Sequence, residues 1–368
     1  VELEEPCGYF LYLLASNAYP VPRHLVEARG AAWADAESLV TNGPFRLKAW
    51  QPTESIVLER NPMYHGRFSG NVERVEMCQL PDPLARWAEY EADNLDVFNL
   101  SRLAPTERDR ARQQHPGEQF SVQMPVTRYI DFDVSRRPFD DVRVRRAFVL
   151  ATDRHRLADV ILRGYSLPAT GGLVPPGMPG HSAGISLPYD PEQARQLLAQ
   201  AGYPEGRGFP PVQALGADAI VGWREYLQAQ WRENLGMDIP WEPIEWSEIM
   251  RRRDAPPHLL CTGWIADYPD PDSFMRGRLL YQDRFRDWTR WRNASYDRLV
   301  EEARHLMNHD ERIELYRKAD RILVEEAPIL PLHHPMEVLL VKPWVTRYPI
   351  SPLLVEQYYG KHVIIEPH

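Results

Sequence analysis

Through the first third of the chain, apolar and polar residues alternate in short runs. Residues 55–60 (Ser-Ile-Val-Leu-Glu-Arg) and 71–77 (Asn-Val-Glu-Arg-Val-Glu-Met) turn every second side chain to the same side, a period that predicts strands. Over residues 82–93 the period changes: Asp82 stands as a helix cap, Pro83 takes the first helical position, and Leu84, Trp87 and Tyr90 recur at helical spacing. Short strands interleaved with a helix are the texture of an α/β lobe.

A second texture begins near Thr127. A strand over 129–134 runs into a turn at 137–141 and a helix over 142–152 that keeps Val142, Ala147 and Leu150 on one face. Asp190 and Pro191 open another helix, which Ala201 and Gly202 close, and a third over 223–235 is stopped by Gly236. Strands over 239–244 and 259–263 come next, then amphipathic helices over 293–306 and 310–326, then closing strands over 330–341 and 363–366. The 34 prolines are dispersed, which fits turns inside folded lobes and not a disordered tether.

Length makes this two lobes: 368 residues exceed one ordinary core at about 100–200 residues per domain. The chain is 43% hydrophobic, and no stretch approaches the roughly 20 uninterrupted apolar residues of a membrane span. A net charge of -9 argues against nucleic acid as a partner, since the basic runs at Arg143, Arg145 and Arg146 and at Arg251, Arg252 and Arg253 are short and lie beside acids. Cys7, Cys78 and Cys261 are too few and too far apart for a zinc site or a disulfide framework, so buried free thiols are expected. The opening residues 1–5 alternate like a strand and carry no signal-peptide pattern, so a targeting segment, if the protein uses one, is expected to have been removed.

Of the motifs of common enzymes, HExxH, GxGxxG and GxxxxGK[ST] do not occur. His333 and His334 are neighbours on an expected strand and point to opposite faces, poor geometry for joint metal ligation. Neither a metal nor a cofactor is expected. The most informative segment is 263–274 (Gly-Trp-Ile-Ala-Asp-Tyr-Pro-Asp-Pro-Asp-Ser-Phe), where Asp267 comes after an apolar strand and precedes a turn-forming Pro-Asp-Pro. A carboxylate there can face a cleft, and Asp267, Asp270 and Asp272 can equally cap the turn and the next helix.

Six separated segments also resemble one family. Residues 41–47 (Thr-Asn-Gly-Pro-Phe-Arg-Leu), 57–64 (Val-Leu-Glu-Arg-Asn-Pro-Met-Tyr), 90–97 (Tyr-Glu-Ala-Asp-Asn-Leu-Asp-Val), 137–147 (Arg-Pro-Phe-Asp-Asp-Val-Arg-Val-Arg-Arg-Ala), 263–267 and 340–345 (Leu-Val-Lys-Pro-Trp-Val) occur in the order of the family 5 solute-binding proteins, the oligopeptide- and dipeptide-binding class. The resemblance implies a two-lobed α/β fold of the periplasmic-binding-protein type (class II), with a hinge and with the N-terminal part of the family fold missing. It places 1–127 in a large lobe completed by 335–368, and 128–334 in a second lobe, with crossings near Thr127 and His334. It implies capture of a peptide or similar small solute and delivery to the permease of an ABC importer, outside the cytoplasm, by a monomer that is not an enzyme.

By motif position Asp267 resembles the aspartate that holds a ligand's α-ammonium group. Trp264 and Trp246 match pocket walls, Tyr268 adjoins them, Arg253 falls at a pocket arginine, Asp131 near an acidic pocket position, and His333 or His334 where a tyrosine lines the cleft. Cys261 stands where some peptide binders carry an arginine for the ligand's carboxylate, which leaves the ligand class open. Two rival readings are the sensing domain of a cytoplasmic transcriptional regulator with the same binding fold, and a hydrolase using Asp267 with His333.

Overall fold

A computed structural model of the chain describes residues 1–216, 222–252, 255–279, 288–349 and 360–368. They form two compact units, one of residues 1–17 and 123–336, the other of residues 18–122 and 337–368. The chain thus passes between units after Asn17, Val122 and Met336, and residues 1–17, expected in the first lobe, belong with 123–336.

The larger unit is organised by a sheet buried on both faces. Strand Leu259–Ile265 lies between Val126–Phe132, to which it is antiparallel, and Ala214–Gly216, to which it is parallel; Trp241–Pro243 continues the parallel side, and Ile329–Val341 flanks Val126–Phe132 antiparallel to it. Side-chain alternation then sorts the core. Ile130 and Phe132 point into a cluster with Phe148, Leu198, Leu227 and Trp231, from helices Val142–Leu150, Pro191–Gln200 and Trp223–Leu235. Tyr129 points into the other, with Phe274, Tyr296, Val300, Tyr316 and Leu323, from helices Asp272–Leu279, Ala294–His305 and His309–Glu326. Burial of each such side chain contributes about 1.5–3 kcal/mol, which is why an apolar run reads as strand here even without strict alternation.

Local signals place the helix ends. Asp141 and Asp190 accept the amides of Arg143 (2.8 Å) and Gln193 (2.9 Å), and Gly236, at φ 70°, closes the 223–235 helix in the left-handed region. Residues 1–5 form no strand, because no strand edge pairs with them among the described residues; they lead instead to helix Phe10–Asn17.

The smaller unit holds the antiparallel sheet Phe45–Gln51, Ser55–Arg60 and Arg74–Cys78, then helix Pro83–Glu91, whose cap Asp82 accepts the Leu84 amide at 3.0 Å. Strand Val97–Asn99 pairs with Leu339, Leu340 and Val341. Leu339, Val341, Val345 and Val363 form its apolar cluster. Lys342 pairs with Asp93 and lies 4.3 Å from the centre of the Tyr90 ring. Of the thiols, Cys261 is buried as expected, Cys7 is half-buried, and Cys78 is exposed, because the outer face of its edge strand is bare.

Candidate functional site

In the larger unit the parallel strands 214–216, 241–243 and 259–265 end on the same edge of the sheet. Side chains beyond the carboxyl ends of parallel strands are free of the ladder and can meet a ligand. Asp267 leaves from this edge, as does Trp246 after strand 241–243.

Two cross-strand rows lead to the edge. Gly263, Arg128 and His333 form one; Trp264 and Thr127 form the next, and His334 Nδ1 lies 3.1 Å from Thr127 Oγ1. Gly263 is needed here for space: a Cβ would stand 2.6 Å from Arg128 Cδ and 3.0 Å from Thr127 O. The strand breaks off at Ala266, whose amide donates to Pro125 O at 2.9 Å.

Beyond the strand the chain turns, carrying one exposed and two buried carboxylates. Asp267 is exposed, and its backbone N–H donates to Ser273 Oγ at 2.9 Å. The indole Nε1 of half-buried Trp264 donates to the same oxygen at 3.3 Å. Asp270 accepts two bonds from Arg312, at 2.8 and 2.6 Å, and also the Asp272 amide at 3.0 Å. Asp272 accepts the hydroxyls of Tyr268 (2.7 Å) and Tyr316 (2.9 Å). Burial pushes the Asp272 carboxyl above its usual range, against the pull of those two hydroxyls, and burial with the Asp272 charge pushes the Tyr268 hydroxyl upward. Tyr268 stacks on Tyr9 with ring centres 5.3 Å apart. Asp270 and Asp272 therefore build the turn from within, whereas Asp267 is exposed at its start.

The other expected positions divide. His333 and His334 are buried; burial holds the first ring neutral with a pKa of about 3, aided by Arg128, and the second at about 4. Thr127 commits its hydroxyl to Leu173 O at 2.7 Å, so His334 Nδ1 is the donor to Thr127 Oγ1 or to Val126 O. Asp131 sits further down the sheet, in register with Leu260 and Ile329, buried and accepting Thr262 Oγ1 at 2.9 Å. Trp246 is 55% exposed at the start of helix Trp246–Arg251, and Arg253 lies outside the described residues. Ser273 and Thr127 escaped the sequence reading; only the hydroxyl of Ser273, six positions after Asp267, could have signalled its part.

Among the described residues no three acidic, histidine or cysteine side chains gather as metal ligands, and no helix is long and apolar enough to cross a membrane.

Comparison with known proteins gives a consistent result. Residues 1–284 match the family model for bacterial extracellular solute-binding proteins, family 5 Middle. The probable deoxycholate-binding periplasmic protein YgiS of Escherichia coli (strain K12) is 30% identical over 382 residues, which span 100% of this chain and 69% of that protein. The periplasmic oligopeptide-binding protein OppA of Salmonella typhimurium is 28% identical over 383 residues, 98% of this chain and 68% of that one. Among solved structures, OppAIV of Borrelia burgdorferi aligns with a TM-score of 0.78 at 26% identity, covering 98% of this chain and 72% of that one. The murein tripeptide binding protein MppA of Escherichia coli aligns with a TM-score of 0.78 at 25% identity, covering 100% and 72%. The two-unit α/β architecture is that of the periplasmic binding proteins, and the chain belongs to the family 5 bacterial extracellular solute-binding proteins.

Proposed function

We propose that this chain is the greater part of an extracytoplasmic receptor that captures a peptide, or a similar small solute bearing a free amine, by hinge closure of two lobes, and hands it as a monomer to the permease of an ABC importer. The observation that carries the proposal is the position of Asp267: an exposed acidic residue just past the carboxyl end of strand 259–265, on the edge where the parallel strands end, next to half-buried Trp264. An ammonium group meeting such a carboxylate makes a charge-assisted hydrogen bond, and the bond strengthens as closure removes water. Half-buried Trp264 supplies an apolar wall three positions earlier in the chain, and the names of the relatives OppA and MppA support a peptide. Closure shifts an open–closed equilibrium by the difference in affinity between the two states, and no chemical step is required.

Titration calorimetry with short peptides, free or acetylated at the amino terminus, tests the proposal. Preference for the free amine, lost in Asp267→Ala, is the expected result. Deoxycholate, the ligand in the name of YgiS, carries a carboxylate and no amine. Equal deoxycholate binding by the parent protein and Asp267→Ala, with no peptide binding, would overturn the peptide reading.

A further inference from the structure

We infer that Ser273 is a positioning residue of the ligand site, its hydroxyl oxygen fixing the Asp267 backbone and the Trp264 indole to one point. The inference rests on the reading of Asp267 given above.

Ser273 is 1% exposed and lies in the first turn of helix Asp272–Leu279. Its Oγ takes the Asp267 amide at 2.9 Å and the Trp264 Nε1–H at 3.3 Å. A hydroxyl oxygen has two acceptor sites, and two donors from the ligand-facing strand end occupy them. Each of these part-buried donors would lose this bond without the Ser273 oxygen.

The hydroxyl is held where it is. Its helix begins at Asp272, fixed by Tyr268 and Tyr316; the residue two before that, Asp270, is clamped by Arg312; and the next two after Ser273, Phe274 and Met275, lie in the core cluster with Tyr129 and Tyr296. On the other side Ala266 is tied to Pro125 O. The stem of Asp267 is thus pinned on both sides, to the sheet before it and to the helix at its own amide, in a residue that is exposed. A charged group set in advance binds without having to be ordered by the ligand, which is where preorganisation adds affinity. The same oxygen fixes the wall against the anchor, so the distance between ammonium and first side chain of a ligand is set by one atom of Ser273.

The test is titration calorimetry of the full chain with an equimolar pool of di-, tri- and tetra-alanine, and with the same pool N-acetylated. Parent protein, Asp267→Asn, Ser273→Ala and Ser273→Thr are compared. The expected pattern is a free-amine preference in the parent, its loss in Asp267→Asn, a weakening of free-amine binding by roughly tenfold in Ser273→Ala, on the scale of one hydrogen bond, and recovery in Ser273→Thr, which keeps the oxygen. Parent-like binding of the free-amine pool by Ser273→Ala, alongside its loss in Asp267→Asn, overturns the role of Ser273 and leaves the reading of Asp267 standing. No free-amine preference in the parent, or its survival in Asp267→Asn, overturns both. Should Ser273→Ala fail to fold, amide hydrogen exchange of Asp267 in the parent decides: protection supports the tether, and exchange at the rate of a free amide overturns it.

Discussion

Asp270 and Arg312 face each other in a two-pronged ion pair, Nη1 to Oδ1 at 2.8 Å and Nη2 to Oδ2 at 2.6 Å, with both side chains buried. The pair joins the turn after strand 259–265 to helix His309–Glu326, and so fixes the base from which Asp267 projects.

Removing one member leaves the other charge buried alone, which costs about 3–5 kcal/mol. Arg312→Leu is expected to lower the unfolding free energy by that amount in urea titration, and replacing both residues by apolar ones of similar volume to recover much of it. A loss below about 1 kcal/mol in the single variant would show that water reaches the pair.

Asp267→Ala removes an exposed carboxylate and leaves the ion pair and the tyrosine bonds of the turn in place. Affinity for a free-amine peptide is expected to fall roughly 10- to 100-fold, the range for a hydrogen bond to a charged group, with the native circular dichroism spectrum retained. Unchanged affinity by calorimetry would remove this side chain from the site.

Acid should find the histidine pair. Unfolded imidazole takes a proton near pH 6.5, whereas burial lowers His333 to about 3 and His334 to about 4. Below pH 6.5 the unfolded chain binds protons that the folded chain refuses, so the stability these rings contribute is complete above that pH and drains away as pH falls toward 4. His333→Gln together with His334→Gln is expected to flatten the slope of unfolding free energy between pH 6 and 4.5 by up to about two protons' worth, measured by urea titration at each pH. A slope equal to the parent's would mean that the rings are already charged in the fold.

Asp320 works in the opposite sense. It is fully buried, accepts the Leu173 amide at 2.9 Å, and has a carboxyl pushed up to about 7 by burial. With the folded value above the unfolded one, its contribution is complete below about pH 4 and is lost as pH rises through 7. Asp320→Asn, compared with the parent by thermal unfolding, should therefore gain relative stability between pH 5 and pH 8. A constant difference across that range would place the carboxyl's titration below it.

How much of this the sequence discloses depends on whether the cause is local. Helices Pro83–Glu91 and Pro191–Gln200 were legible because an aspartate and a proline announce them within three residues, and strand Leu259–Ile265, expected over 259–263, because it opens on the apolar Leu259, Leu260 and Cys261. Helix Pro105–Gln114 was not, since Ala111 is its only buried residue and a polar helix shows no stripe. The alternation over residues 1–5 misled because a period of two means a strand only where a partner edge exists. At the candidate site Asp267 was singled out by its place after an apolar strand, and the family resemblance supplied the roles expected of it and of Trp264. Ser273 and Thr127 work through bonds that only the folded chain brings about, across the turn in one case and to Leu173, 46 positions away, in the other.

The segment 267–273 separates duties residue by residue: Asp270, Asp272 and Ser273 are buried and hydrogen-bonded, while Asp267 is exposed. If Asp267 holds the ligand as proposed, recognition can be rewritten at one codon while the Asp270 and Asp272 bonds of the turn stay in place. On that reading a neutral or cationic side chain at this single place would shift preference from amines toward uncharged or acidic solutes, giving a lineage or an engineer a dial for specificity.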